Sequence, residues 1–207
     1  MKSDFPDRIT VRQTLELRLN ELMKCGTPPD SITFAGNGEP TIHPGFESIV
    51  EDSIRLRNRI SPESSIVVLS NGSLAGRENV KRALLKVDQN ILKLDTGFED
   101  TFRILNQSTD NISLSDIIEN LRNFNGKLII QTLFIRGEYQ GKKIDNTSEN
   151  EIEKLLYLYR EISPGEVMVY TFARGTPLEG LERIPYDELK KISGRIEEMG
   201  IKTRISA

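Results

Sequence analysis

Short apolar runs that alternate with amphipathic helical segments are the feature that most constrains the fold of this sequence. Apolar residues at helical spacing predict helices over 10–24, 43–59, 77–86, 98–105, 115–124, 149–162 and 186–199. The runs between them predict strands over 32–35, 65–73, 90–97, 127–137, 166–175 and 201–207. Strands that alternate with helices are typical of a parallel sheet with helices outside it. We therefore predict an α/β fold in one domain over 1–207, with a polar surface loop at 137–150.

The first predicted element is a helix, and this is unusual for such an array. Thr10 and Gln13 suggest a capping box at its start, and Gly26 closes it after Cys25. In a right-handed α/β array a helix returns from a preceding strand, so this helix reads as half of a βα unit whose strand is absent. The strand at 32–35 then becomes an open edge, where we expect self-association.

Composition limits the classes of protein that the chain can belong to. Its 28 basic and 31 acidic residues give a net charge of −3, which provides no global attraction to nucleic acid or to an anionic membrane. Arg55, Arg57 and Arg59 could form a local basic face for RNA, but their spacing of two spreads them around a helix and favours a solvated surface. The single cysteine fits a cytoplasmic protein, and no apolar run approaches the ~20 residues that span a bilayer.

Polar residues and glycines follow the predicted strands, where parallel α/β folds keep their sites. They are Gly36, Asn37, Gly38, Glu39 and Pro40, then Ser70 and Asn71, then Lys93 and Asp95, then Gln131 and Thr132, then Tyr170, Thr171 and Arg174. A core alone does not require polar groups at the ends of five successive strands. The arrangement predicts a ligand site at this end of the sheet.

Each of these residues also has a structural explanation. Glycines after a strand usually form turns, although they also let a ligand reach the backbone. Glu39 is held extended before Pro40, where its carboxylate could bind a ligand ammonium or cap the chain locally. Lys93 and Asp95 share a strand face, as an ion pair or as a pair that contacts a ribose. His43 is favoured as a helix-start residue and Cys25 as a half-buried thiol, and no CxxC, HExxH, Walker A or GxSxG motif is present.

The motif ITFAGNGEPTIHPGF at 32–46 resembles the radical S-adenosylmethionine superfamily, and within it the Fe–S oxidoreductases similar to wyosine-type tRNA-modifying enzymes. The resemblance continues through VVLSNGSL, NILKLDTGFEDTFRILN, LIIQTLFIRGEYQG and VMVYTFARGTP, and covers about 31 to the end. It implies a partial (βα)6 TIM-like barrel that binds S-adenosylmethionine and a [4Fe–4S] cluster.

The resemblance also assigns roles to the residues at the strand ends. It implies that residues 36–39, held by Pro40, bind the methionyl amino group, and that Ser70 and Asn71 approach the methionyl group or the cluster edge. Lys93 and Asp95 fall where the family contacts the ribose or the sulfonium, and Tyr170 to Arg174 fall near the adenine.

One departure from the family is decisive for activity. The family holds its cluster with a CxxxCxxC loop after the first strand, and here that strand and loop are missing. Cys25 is one thiol at the far end of the following helix and cannot replace three. The resemblance therefore implies a truncated core, with no metal ligand of its own and unable to cleave S-adenosylmethionine.

Two alternatives remain open beside the truncated core. One is a small α/β phosphate- or nucleotide-binding protein in which residues 36–38 form a phosphate nest. The other is a binding or scaffold protein that kept the fold.

Overall fold

The computed structural model describes residues 5–35, 38–106, 112–139, 141–172 and 180–206. In these ranges the chain is a mixed α/β fold with seven α-helices and a parallel sheet of six strands. The helices are α1 (Arg8–Lys24), α2 (Phe46–Ile60), α3 (Glu78–Leu84), α4 (Glu99–Asn106), α5 (Leu114–Arg122), α6 (Glu149–Ile162) and α7 (Tyr186–Glu197). The strands of the parallel sheet are β1 (Ser31–Phe34), β2 (Ser65–Ser70), β3 (Gln89–Lys93), β4 (Ile129–Leu133), β7 (Glu166–Tyr170) and β9 (Lys202–Ser206).

Backbone contacts divide the chain into two compact units. Unit 1 comprises residues 1–70 and 74–91, and unit 2 comprises residues 71–73 and 92–207. In unit 1, β1 pairs in parallel with β2, from Ser31 opposite Ser65 to Phe34 opposite Val68. Helices α1 and α2 pack together, and buried Leu19, Val50 and Leu56 belong to the core of this unit. Helix α2 is amphipathic, and its apolar face is buried in this core.

The start of α1 differs from the prediction. The helix begins at Arg8, and the Asp7 carboxylate accepts hydrogen bonds from the backbone N–H groups of Ile9 and Thr10 at 2.9 and 3.0 Å. The predicted capping box of Thr10 and Gln13 is therefore wrong, because Asp7 is the N-cap. The predicted helix over 43–59 begins later as well. A 3-10 turn, Pro40–Ile42, precedes α2.

Unit 2 contains the rest of the parallel sheet. Strand β4 pairs with β7, and β7 pairs with β9, all in parallel. Alternate residues of β4 and β7, including Ile130, Val167 and Val169, are fully buried. Helices α5 and α6, and α6 and α7, contact each other in this unit. The predicted helices over 149–162 and 186–199 and the last strand are confirmed to within two residues.

A second, antiparallel sheet in unit 2 was not predicted. It consists of β5 (Ile135–Tyr139), β6 (Lys142–Asp145) and β8 (Leu181–Arg183), with β5 in the middle. The predicted single strand over 127–137 is wrong, because the chain leaves the parallel sheet after Leu133 and resumes as β5. The predicted surface loop over 137–150 is also wrong, since much of it forms the β5–β6 hairpin.

No helix in the described part of the chain combines the length and the apolar character that crossing a membrane requires.

Candidate functional site

Glu39 and Ser70 lie together in unit 1, at the carboxyl ends of β1 and β2. The Oε1 atom of Glu39 accepts hydrogen bonds from Thr41 N at 3.1 Å, from Thr41 Oγ1 at 2.5 Å and from Ser70 Oγ at 2.8 Å. Glu39 thus caps the 3-10 turn that Pro40 begins, which confirms the local capping function. The bonds from the 3-10 turn and from the end of β2 also hold the carboxylate in one position.

Three predicted site residues lie outside the described residues: Gly36, Asn37 and Arg174. Gly38 is described, and its φ of +154° is a conformation that residues with a side chain rarely adopt. This φ explains why the position before Glu39 is a glycine.

Lys93 and Asp95 form an ion pair at the end of β3 in unit 2. Lys93 Nζ lies 2.9 Å from Asp95 Oδ2, and the other carboxylate oxygen accepts a hydrogen bond from Leu133 N at 2.8 Å. The Asp95 side chain is 1% exposed and that of Lys93 28% exposed. Burial raises the pKa of the Asp95 carboxyl, against the opposing effects of the Lys93 ammonium and the Leu133 N–H. The predicted pairing is therefore present, with its anion buried and its cation reaching the surface.

An apolar cavity of about 190 Å³ lies against this ion pair, within unit 2. Lys93 and Asp95 form part of its wall, with Leu133 from the end of β4 and Phe172 just after β7. The remaining walls come from α4 and the antiparallel sheet: Ile104, Leu105, Ile135, Tyr139, Ile144 and Leu181. A concave apolar site with a few polar groups is the usual form of a small-molecule site. The cavity lies near the carboxyl ends of β3, β4 and β7, and its lining includes two of the predicted site residues, Lys93 and Asp95.

Tyr170, at the end of β7, belongs to the same region of unit 2. Its backbone pairs with Leu133, and burial, followed by the nearby Asp95 carboxylate, raises the pKa of its phenol. The Tyr170 phenol thus lies near the Asp95 carboxylate, which is paired with Lys93. Of the other predicted residues on these strands, Thr132 is buried and its hydroxyl donates to Leu94 O at 2.7 Å, which is a structural contact.

Three other predicted residues have local roles. The Asn71 side chain accepts a hydrogen bond from Ser73 N at 2.9 Å, as expected for a turn. His43 Nδ1 accepts from Gly45 N at 2.9 Å, so its Nε2 is the atom that donates to Pro6 O at 2.9 Å. Cys25 is exposed at the end of α1, which corrects the prediction of a half-buried thiol.

Sequence reasoning missed Asn146, which supports the cavity wall. This buried side chain donates to Asp95 O at 2.8 Å and to Leu133 O at 2.6 Å, and accepts from Ile135 N at 2.8 Å. It therefore joins the end of β3, the end of β4 and the start of β5. An asparagine in a polar stretch gives no signal of this role, because the role depends on how the β5–β6 hairpin folds back.

The donor set does not fit an iron–sulfur cluster. Clusters of this type are held by several cysteine thiolates, and the sequence has one cysteine. Within the described residues no group of three or more His, Cys, Asp or Glu side chains is placed to hold a metal ion.

No family model matches the sequence, but several proteins are similar to it. The chain is 29% identical over 154 residues to the UPF0026 protein slr1464 of Synechocystis, covering 72% of this chain and 53% of that protein. It is 27% identical over 180 residues to the UPF0026 protein MJ1312 of Methanocaldococcus jannaschii, covering 85% and 52%. A GTPase Obg of Brachyspira hyodysenteriae is 26% identical over 166 residues, covering 78% and 23%. The chain thus spans about half the length of these UPF0026 relatives and 23% of the GTPase.

Three solved structures share the fold. A radical SAM methyltransferase from Sphaerobacter thermophilus superposes with a TM-score of 0.63 at 17% identity, covering 95% of this chain and 56% of that one. Streptococcus suis SuiB bound to S-adenosylmethionine gives 0.66 at 15% identity, covering 95% and 43%. Archaeal TYW1 gives 0.62 at 16% identity, covering 96% and 65%. The mixed α/β fold of this chain, with its six-stranded parallel sheet, is therefore similar to the fold of radical SAM enzymes.

Proposed function

We propose that the chain is the S-adenosylmethionine-binding core of a radical SAM protein of the Fe–S oxidoreductase type. The observation that carries this proposal is the Lys93–Asp95 ion pair in the wall of the apolar cavity, at the ends of β3 and β4. The fold it shares with SuiB, whose structure holds S-adenosylmethionine, supports the same proposal.

The cavity suits the nucleoside part of S-adenosylmethionine. A dry cavity of about 150 Å³ is known to hold a benzene ring, so about 190 Å³ can accept most of a purine ring. Ribose hydroxyls both donate and accept hydrogen bonds, and the ion pair offers them an ammonium donor and a carboxylate acceptor. We assign Lys93 and Asp95 to the ribose and Tyr170 to the neighbourhood of the adenine.

In unit 1, we propose that the Glu39 carboxylate binds a ligand ammonium group, which is the role that the resemblance implies for it. The three hydrogen bonds that Glu39 Oε1 already accepts hold the carboxylate in place before a ligand arrives. A carboxylate held in this way forms a strong, charge-assisted hydrogen bond with an ammonium.

The radical reaction needs an electron from a [4Fe–4S] cluster, and the residues of this chain do not fit one. We propose that the chain on its own binds S-adenosylmethionine without cleaving it. After anaerobic incubation with iron and sulfide, the protein should not show the sulfide-to-iron absorbance bands of one cluster per chain. One cluster per chain in that experiment would overturn this part of the proposal and leave the binding site untouched.

The binding proposal is tested by calorimetric titration of the 207-residue protein with S-adenosylmethionine. Lys93→Met should weaken binding at least tenfold, because it removes the donor to the ribose. Lys190→Met removes an exposed lysine from α7 and should change the affinity less than twofold. Leu105→Trp, which fills the cavity, should also weaken binding, whereas Leu85→Trp in unit 1 should not.

The same titration separates the proposal from its alternative. S-adenosylhomocysteine and adenosine should compete with S-adenosylmethionine for the cavity, and inorganic phosphate should not. If the chain is instead a small phosphate- or nucleotide-binding protein, phosphate will compete and Lys93→Met will have no larger effect than Lys190→Met.

A further inference from the structure

Three arginines line a concavity on the helical surface of unit 1. Arg55 and Arg59 lie one turn apart on α2, and Arg12 faces them from α1. The concavity has a volume of about 270 Å³, and Asp52 and Leu56 complete its lining. None of these three arginines belongs to the lining of the proposed nucleotide cavity.

Most hydrogen-bond donors of the three guanidinium groups have no partner within the described residues. Arg55 Nη2 bonds Asp52 Oδ1 at 2.5 Å, and Arg59 Nη2 bonds Glu16 Oε1 at 2.5 Å. Arg12 makes no hydrogen bond or ion pair with any described residue. Since a guanidinium carries five N–H donors, each of the three retains several for a ligand.

The local charge is positive although the chain as a whole is negative. Arg8 also reaches this region, because its Nε lies 2.6 Å from Asp52 Oδ2. The hydrogen bond from Arg8, followed by that from Arg55, holds the pKa of the Asp52 carboxyl well below its usual range, so Asp52 stays ionised. Asp52 and Glu16 are thus the two carboxylates paired with these four arginines, and Glu51, which also acts on Arg8, is itself paired with Lys86.

The third arginine of the 55–59 series is directed elsewhere. Arg57 donates to Ser64 O at 2.7 Å and to Asp88 Oδ2 at 2.8 Å, so it is used within the fold of unit 1. Spacing of two does spread the three arginines around α2, as the sequence predicts. Arg55 and Arg59 nevertheless share one side of the helix, and α1 supplies the third cation there.

We propose that Arg12, Arg55 and Arg59 form a binding site for a phosphate group. Guanidinium groups bind phosphate oxygens through paired N–H donors, and this geometry suits three arginines around one concavity. A tetrahedral phosphate presents more acceptor oxygens than a planar carboxylate, so it can bond all three at once. The phosphate can come from a small phosphorylated compound or from an RNA backbone.

The test is a titration of the full chain with inorganic phosphate, at constant ionic strength and with arginine Nε–Hε signals observed by NMR. The signals of Arg12, Arg55 and Arg59 should shift with saturation, and acetate should bind more weakly than phosphate. In a parallel experiment a short uridine oligonucleotide replaces inorganic phosphate. Competition by the RNA identifies its backbone as a source, and binding of phosphate alone identifies a small phosphorylated compound.

Two arginines of α1 provide matched variants. Arg12→Gln should weaken phosphate binding at least fivefold, with the thermal midpoint unchanged because Arg12 makes no hydrogen bond or ion pair with the described residues. Arg18→Gln removes the same charge from a residue paired with Glu21, and should change the affinity less than twofold. Arg59→Gln is a second variant from the other helix and should also weaken binding.

The proposal is overturned if neither phosphate nor RNA gives saturable shifts at these arginines. It is also overturned if Arg12→Gln and Arg18→Gln weaken binding equally, because the effect would then be one of general charge. The site uses no residue of the nucleotide cavity, so the result is independent of S-adenosylmethionine binding.

Discussion

At the scale of single residues, the Lys93–Asp95 pair is the feature in which sequence and structure agree most directly. Residues two positions apart on a strand share a face, which is enough to predict that Lys93 and Asp95 contact each other. The structure adds that the Asp95 carboxylate is buried and bonded to Leu133 N. That contact depends on β3 and β4 being neighbours in unit 2, and no local pattern predicts it.

The buried carboxylate leads to a prediction about stability and pH. Lys93→Met leaves a buried charge unpaired and should destabilise the protein by about 3 kcal/mol at pH 7.5. Burial raises the pKa of Asp95, so the free energy of unfolding decreases as the pH rises and the carboxyl ionises. Loss of Lys93 raises that pKa further. The difference in the free energy of unfolding between the variant and the wild type should therefore become smaller from pH 7.5 to pH 5, as the carboxyl takes up a proton. Urea denaturation at both pH values measures it.

Two further variants control this measurement. Asp95→Asn should cost less than Lys93→Met at pH 7.5, because a neutral amide can still accept the hydrogen bond from Leu133 N. Lys190→Met should be close to neutral, since Lys190 is exposed. A loss in Lys93→Met that is independent of pH would contradict the account of the ion pair.

At the scale of elements, the sequence predicts the helices and the parallel strands of both units and misses the antiparallel sheet. The apolar run over 127–137 has no break in its pattern, yet the chain leaves the parallel sheet after Leu133. The run does contain Gly137, inside β5, whose φ of +134° and close contact with the backbone of Gly180 and Leu181 exclude a side chain. A single glycine in a strand is an ambiguous signal, since it also occurs in bulges and turns. Strand β8 has only three residues, which is too few for a periodicity to be read.

This close contact predicts the effect of a methyl group. A Cβ atom at position 137 would lie 2.0 Å from Gly180 O, so Gly137→Ala should break the pairing of β5 with β8. Amide hydrogen exchange should show lower protection over 181–183. Gly194→Ala is the control, because nothing lies within 4 Å of its Cβ in α7, and it should stabilise the protein by about 0.5–1 kcal/mol. Unchanged protection in Gly137→Ala would contradict the described packing of β8.

At the scale of the whole molecule, the sequence predicts the fold class that the structure and its structural neighbours share. The prediction succeeds because several strand–helix pairs in the right order specify a parallel sheet more strongly than any one motif does. The partial barrel remains a proposal that rests on the resemblance. Within the described residues, β1 pairs with β2 alone, so its other edge is available to another strand.

We propose that this edge of β1 drives self-association. Light scattering at micromolar concentrations should then give a molar mass that increases with concentration. Thr33→Lys places a charge on the exposed side of β1 and should shift the protein toward monomer, because lysines protect strand edges. Thr14→Lys, on the exposed surface of α1, should have no such effect. A strictly monomeric wild type would contradict the proposal.

The central claim is that the cavity beside Lys93 and Asp95 binds the nucleoside of S-adenosylmethionine. The most direct measurement is a titration of the ¹⁵N-labelled protein with S-adenosylmethionine, followed through its backbone amides. The account predicts saturable shifts centred on Leu133, Ile135 and Tyr139, and a large loss of these shifts in Lys93→Met. Saturation with shifts confined to other parts of the chain, or no saturable shift at all, would contradict it.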